Sequence, residues 1–165
     1  MKVKKGENMA IDRYDWHYDS AAEAYRERNN ITGELTEAQM DEICLYAADH
    51  IGLFLRWVIE SGLEGEESDP EGCERVRKGE ITGAQYLMEY CDGKFWDCDI
   101  CDKIKPFVAE YYESDDRDRP YQYFDDLVAA IGEENIYQII SGDKEYNALK
   151  PLIDRAYSAI TKQEK

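Results

Sequence analysis

The chain has 165 residues, with 37 acidic against 20 basic side chains for a formal charge of -17, and 43% of its residues are hydrophobic. That length suits one domain burying roughly 68–70% of the surface its unfolded form exposes, and the charge repels a phosphate backbone, which argues against nucleic-acid binding. The longest apolar run is broken by Arg56 and falls short of the ~20 residues that cross a bilayer, so no membrane span is expected.

Residues 1–10 lack periodicity and read as a flexible N-terminus, with Met9 leaving the natural start open. Lys2, Lys4 and Lys5 are followed by no apolar stretch, which argues against a signal peptide and for a cytoplasmic location. Five cysteines in such a chain are expected as thiols rather than disulfides.

Residues 11–165 read as a single, mainly α-helical domain, a bundle around a long central helix with at most a minor strand component. Three capping boxes announce helix starts: Ser20 with Glu23, Thr36 with Gln39, and Thr82 with Gln85. The first helix is expected from Ser20 to about Asn29. The second, Thr36 to about Ser61, sets Met40, Ile43, Ala47, Ile51, Phe54 and Val58 at three- and four-residue steps and ends at Gly62. Its later half adds Leu53, Leu55, Trp57 and Ile59, so it is apolar on nearly every side and belongs at the centre of the fold. Gly52 inside it suggests close approach by another element.

Residues 64–71 carry five acids and no base and read as an exposed loop entering a short helix capped by Asp69. A helix from Thr82 to about Tyr90 closes at Asp92-Gly93, and Pro106 interrupts or restarts the next helical stretch. Glu113 to Pro120 is a second acidic loop. Phe124, Leu127, Val128 and Ile131 step helically towards Gly132, 135–140 is a short strand or another helical turn, and Asp143 caps a last helix through Ala159. Trp16, Trp57 and Trp96 are expected as core or core-edge anchors.

Several groups could carry chemistry. In Asp15-Trp16-His17-Tyr18-Asp19, an extended chain would put Asp15, His17 and Asp19 on one side, where a carboxylate can orient an imidazole or share a metal with it. His50 sits on the central helix beside Asp49. A buried core histidine is the plain reading, but a meeting of His50 with His17 would make a two-histidine, one-carboxylate site for a divalent ion, with Asp15, His17, Asp49 and His50 as candidate catalytic residues. Cys98 and Cys101 form a Cys-x-x-Cys pair, and with His17 and His50 they complete the candidate metal ligands. A lone tight pair is less than a structural zinc site normally shows, so no cofactor is assigned. Of thirteen tyrosines, Tyr111, Tyr112, Tyr121 and Tyr123 lie among acids and are candidates for contacting a protein partner.

The segments Asp-Trp-His-Tyr at 15–18, His-Ile-Gly-Leu-Phe-Leu-Arg-Trp at 50–57 and Cys-Asp-Gly-Lys-Phe-Trp-Asp at 91–97 resemble an uncharacterised bacterial domain-of-unknown-function family over most of residues 11–160. The resemblance implies a bacterial cytosolic domain whose motif residues include His17, His50, Trp57 and Trp96. It implies no activity, and the Cys98–Cys101 pair lies outside its pattern.

The expected function is that of a non-catalytic, acidic binding module for a basic protein partner, similar in charge and size to an immunity protein. The alternative is a metal-dependent hydrolase built on the histidines and aspartates. The two part on whether His17 and His50 share one environment.

Overall fold

A computed structural model describes residues 10–163, so the expected flexible N-terminus lies almost wholly outside the described residues. The helices are α1 (Tyr18–Asn29), α2 (Glu37–Glu60), α3 (Pro70–Arg77), α4 (Gly83–Tyr90), α5 (Lys105–Val108), α6 (Tyr123–Ile131) and α7 (Asp143–Gln163). Strands β1 (Asp12–Arg13) and β2 (Lys94–Phe95) pair antiparallel, Asp12 opposite Phe95 and Arg13 opposite Lys94. The chain is thus mainly helical with a minimal sheet. Among the described residues, no helix is long and apolar enough to cross a membrane.

α2 begins at a formed capping box, in which Thr36 accepts from the Gln39 backbone and Gln39 reaches back to the Thr36 N–H. Its first half is amphipathic and buries Ile43 and Ala47 against Ala21 and Tyr25 of α1. Its second half is enclosed: Ile51, Phe54, Leu55, Trp57, Val58 and Ile59 are all at most 1% exposed. Burying a side chain of that size contributes about 1.5–3 kcal/mol, so this half-helix is the main apolar investment of the fold. α3, α4, α6 and α7 pack around it, and Trp57 donates its indole N–H to Asp154 of α7 at 2.9 Å.

Gly52 explains how α4 comes so close. A Cβ at Gly52 would stand 2.2 Å from the Ala84 nitrogen, and one at Gly83 would stand 1.9 Å from the Gly52 carbonyl oxygen. The crossing is backbone on backbone, and it offsets the ~1 kcal/mol that a mid-helix glycine costs. α4 opens on the second formed capping box, Thr82 with Gln85.

Three expectations need correction. The Ser20 capping box does not form, because α1 already starts at Tyr18 with His17 at its N-cap, leaving Ser20 inside the helix. The Asp15–Asp19 segment is a 3-10 turn (Tyr14–Trp16) running into α1, so no alternation of sides exists there. Trp16 is 51% exposed and anchors no core, whereas Trp57 does. Pro106 stands in the first turn of α5, where the helix restarts as expected, and the chain then widens into a π-helical turn, Ala109–Glu113.

Residues 135–140 resolve as turn: a 3-10 turn spans Glu133–Asn135, and Tyr137 adopts φ +69°. α7 carries Pro151 inside it and extends past the expected end to Gln163.

Candidate functional site

β1 brings the first group. Its pairing with β2 and the Tyr14 N–H bond to the Gly93 carbonyl fix the chain entry, and Gly93, at φ +73°, leaves room for the Tyr14 ring directly against its backbone. Asp12 therefore points inward at the middle of α2. The 3-10 turn then reverses the chain so that His17, five residues on, returns to the same carboxylate. His50 arrives from the enclosed half of α2.

The three side chains meet. His17 Nε2 lies 2.7 Å from Asp12 Oδ1, and His50 Nε2 lies 3.5 Å from Asp12 Oδ2. The two imidazoles cross edge to face with ring centroids 4.3 Å apart. Their side chains are 23% (His17), 10% (His50) and 12% (Asp12) exposed. One potential ligand atom from each lies within 4.8 Å of the others, and this is the one such trio among the described residues.

Two tyrosines support the trio from behind. Tyr112 donates its hydroxyl to Asp12 Oδ2 at 2.7 Å, and the Tyr137 hydroxyl lies 2.7 Å from His17 Nδ1. The Arg13 backbone N–H adds a bond to Asp12 Oδ1. Tyr112 packs with Phe54 and Tyr123 in a triangle of near-parallel rings, 4.9 Å from each while those two are 5.2 Å apart, and Tyr123 donates to the His50 carbonyl. This aromatic cluster thus connects the hydrophobic core to the carboxylate.

Electrostatics follow from this enclosure. Burial works to raise Asp12, but the hydrogen-bonded His17 and the nearby His50 outweigh it and hold the carboxyl well below its ordinary range. Burial pushes His50 down against the opposing pull of Asp12, so its imidazole is neutral. Burial, then the Asp12 charge, raises Tyr112 and Tyr137, so both are hydroxyls and not phenolates.

His17 has both nitrogens engaged. A 2.7 Å separation between Nε2 and a carboxylate oxygen requires a proton between them, and Nδ1 meets the Tyr137 hydroxyl, which can donate or accept. His50 is the opposite case: both ring nitrogens are buried with no hydrogen-bond partner. At 3.5 Å its approach to Asp12 is too long for a formed bond.

The remaining candidates lie elsewhere. Asp15 is held by Arg13 in a two-point bridge at 2.7 and 2.8 Å on the surface. Asp49, next to His50 in sequence, faces Ser141, whose backbone N–H and hydroxyl donate to it at 2.7 and 2.6 Å. Cys98 and Cys101 are half-buried beside Glu66, Glu67 and Lys105 and supply no ligand to the trio. Tyr111 and Tyr123 are 1% and 4% exposed, so they are core residues with no surface to offer a partner; Tyr112 faces Asp12, and Tyr121 is partly buried under the Arg155 guanidinium.

Sequence reasoning found both histidines and missed Asp12, Tyr112 as its support, and Tyr137. The available signal for Asp12 was its place ahead of the Asp-Trp-His-Tyr motif, close enough for a tight turn to fold it back.

A mainly helical domain with an inward-facing pair of histidines around one carboxylate is the class that fold and site define. Within that class, the chain belongs to the family described as Domain of unknown function (DUF7832), whose model matches residues 10–139. The match takes in Asp12, His17, His50, Tyr112 and Tyr137 and stops before α7. No curated protein and no solved structure matches the chain.

Proposed function

We propose that this domain binds a divalent transition-metal ion through Asp12, His17 and His50, and that the metal serves hydrolytic chemistry. The observation that carries this reading is His50: a neutral imidazole, nine-tenths buried, with two unpartnered nitrogens beside a second histidine and an ionised aspartate. An unpaired buried polar group costs about 1–3 kcal/mol, and a metal bond would repay it.

The donor set suits zinc or iron(II). Two imidazoles and a carboxylate are the ligands of open catalytic zinc sites and of non-haem iron(II) sites, which keep further positions for water or substrate. Zinc bonds of about 2.0–2.2 Å in tetrahedral array set ligands about 3.3–3.5 Å apart. His50 Nε2 already stands 3.5 Å from Asp12 Oδ2, His17 Nε2 would need to withdraw by about 0.6–0.8 Å from its 2.7 Å contact with Oδ1, and one ligand atom from each residue lies within 4.8 Å of the others. The tyrosine hydroxyls on Asp12 and His17 match the outer hydrogen bonds that orient metal ligands. Such a metal lowers the pKa of bound water and supplies hydroxide at neutral pH. The charge of -17 disfavours phosphorylated or other polyanionic substrates and favours neutral or cationic esters and amides.

Calorimetric titration of the chelator-treated chain with zinc(II) and cobalt(II) tests the reading. One ion per chain is expected, with binding weakened at least a hundredfold in His50→Ala and unaffected in Asp15→Asn. Equal binding by wild type and His50→Ala would refute it.

A further inference from the structure

Tyr137 is the residue whose backbone and side chain are hardest to explain by packing alone. It sits at φ +69°, in the left-handed region, with a large aromatic side chain. Such a residue there is strained and persists only where its surroundings hold it.

The segment from Gly132 to Gly142 forms a strap between α6 and α7. It is turned at one end by Gly132, at φ +87°, and by the 3-10 turn Glu133–Asn135. At the other end it is fastened to α2, where Ser141 donates twice to Asp49. Asp49 and His50 are consecutive on α2, so the strap is moored one residue from a proposed ligand. Between these fixed points the left-handed twist at 137 turns the tyrosine ring inward against both imidazoles, with centroids 5.7 Å from His17 and 5.5 Å from His50. The hydroxyl finishes 2.7 Å from His17 Nδ1.

We infer that Tyr137 is a positioning residue for the site, holding the His17 ring so that Nε2 faces Asp12 and His50. The inference rests on the metal reading for its purpose and on the Nδ1 contact for its geometry. A tyrosine hydroxyl can donate or accept. It therefore serves His17 in both of its arrangements: donating to Nδ1 when Nε2 carries a proton towards Asp12, and accepting from Nδ1–H when Nε2 gives its lone pair to a metal. A carbonyl or carboxylate in that place would serve only the second. Phenylalanine would keep the ring contacts and remove this support.

The test compares wild type with Tyr137→Phe in the full chain, with two readouts. Imidazole nitrogen-15 shifts of His17 are recorded in metal-free protein, and zinc(II) affinity is measured against a competing chelator. Expected are displaced His17 shifts and affinity lowered about 10–100-fold, with the circular dichroism spectrum preserved. Unchanged His17 shifts and unchanged affinity, or a lowered melting temperature with both unchanged, overturn the inference. A wild type that takes up no metal refutes the metal reading by itself, and the His17 shifts then decide on Tyr137 alone. A Tyr137→Gly variant, which relaxes the backbone, is expected to show the same displaced shifts.

Discussion

Asp12, which packs against α2, and Asp49, which projects from it, are both buried carboxylates, and the protein drives them in opposite directions. Asp12 faces two imidazoles and a tyrosine hydroxyl and is held far below the ordinary carboxylate range, while Asp49 faces a serine and is raised by burial to about 6, its two Ser141 hydrogen bonds offsetting only part of the penalty. Burial alone does not decide the charge of an inward acid; the ionisable character of its neighbours does. One carboxylate is kept as an anion among potential cations. The other anchors a strap through two Ser141 donors, which favour its charged form against the pull of burial.

The comparison breaks most severely at Asp12. Replacing it with alanine removes the acceptor of His17, Tyr112 and the Arg13 N–H together, and a loss of about 3–5 kcal/mol is expected from urea melts. Asp12→Asn keeps the shape but not the charge, and is expected to abolish metal uptake. A melt within experimental error of wild type for Asp12→Ala would show that the cluster adds nothing to the fold.

A medium effect sharpens the contrast through pH. Asp49 has a folded-state pKa of about 6 above its reference of 3.8, so its stabilising contribution is full below the lower value and lost as pH rises through the upper one. Asp12 runs the other way: its contribution is full above the ordinary carboxylate range and lost only as pH falls below it. Relative to Asp49→Asn, wild type is expected to gain of order 2 kcal/mol between pH 7 and pH 4. A constant difference across that range would contradict the assignment.

The smallest effect concerns the strap itself. Ser141→Ala removes one hydroxyl bond and leaves the backbone bond to Asp49, so about 1 kcal/mol is expected. Faster hydrogen exchange should be confined to residues 133–142. Exchange spread over α2 would mean that the strap has no separate existence.

Much of the fold was legible because it is written locally. The Thr36 and Thr82 capping boxes, the Asp69 cap, Gly62 and the unbroken apolar surface of α2 are all encoded within a few residues, and each is found in place. Gly52 announced a close crossing without naming α4. Ser20 misled because the preceding 3-10 turn hands the chain to α1 two residues sooner, a handover that no pattern within the helix records.

The site was legible only in its histidines. Asp15 and Asp49 attract attention because they are adjacent to those histidines in sequence. Yet successive residues on a helix point about 100° apart, and on the turn at 14–16 Asp15 swings out to Arg13. The true partners lie at a turn's distance, for Asp12, or across most of the chain, for Tyr112 and Tyr137. Thirteen tyrosines in an acidic chain suggested a contact surface. Tyr112 and Tyr123 instead pack with Phe54 in the aromatic cluster behind Asp12, an arrangement that depends on long-range packing.

The π-helical turn at Ala109–Glu113 carries one further consequence. Tyr111 bonds Asp126 and Tyr112 bonds Asp12, so two consecutive residues both serve the interior, one facing α6 and the other the histidines. A wider turn is what one additional residue inserted into an α-helix produces. Excising a single residue there would restore regular pitch and rotate the pair out of phase, so that only one carboxylate could keep its phenol. The link between scaffold and cluster is in that sense a matter of counting, sensitive to chain length in a way that no point substitution imitates.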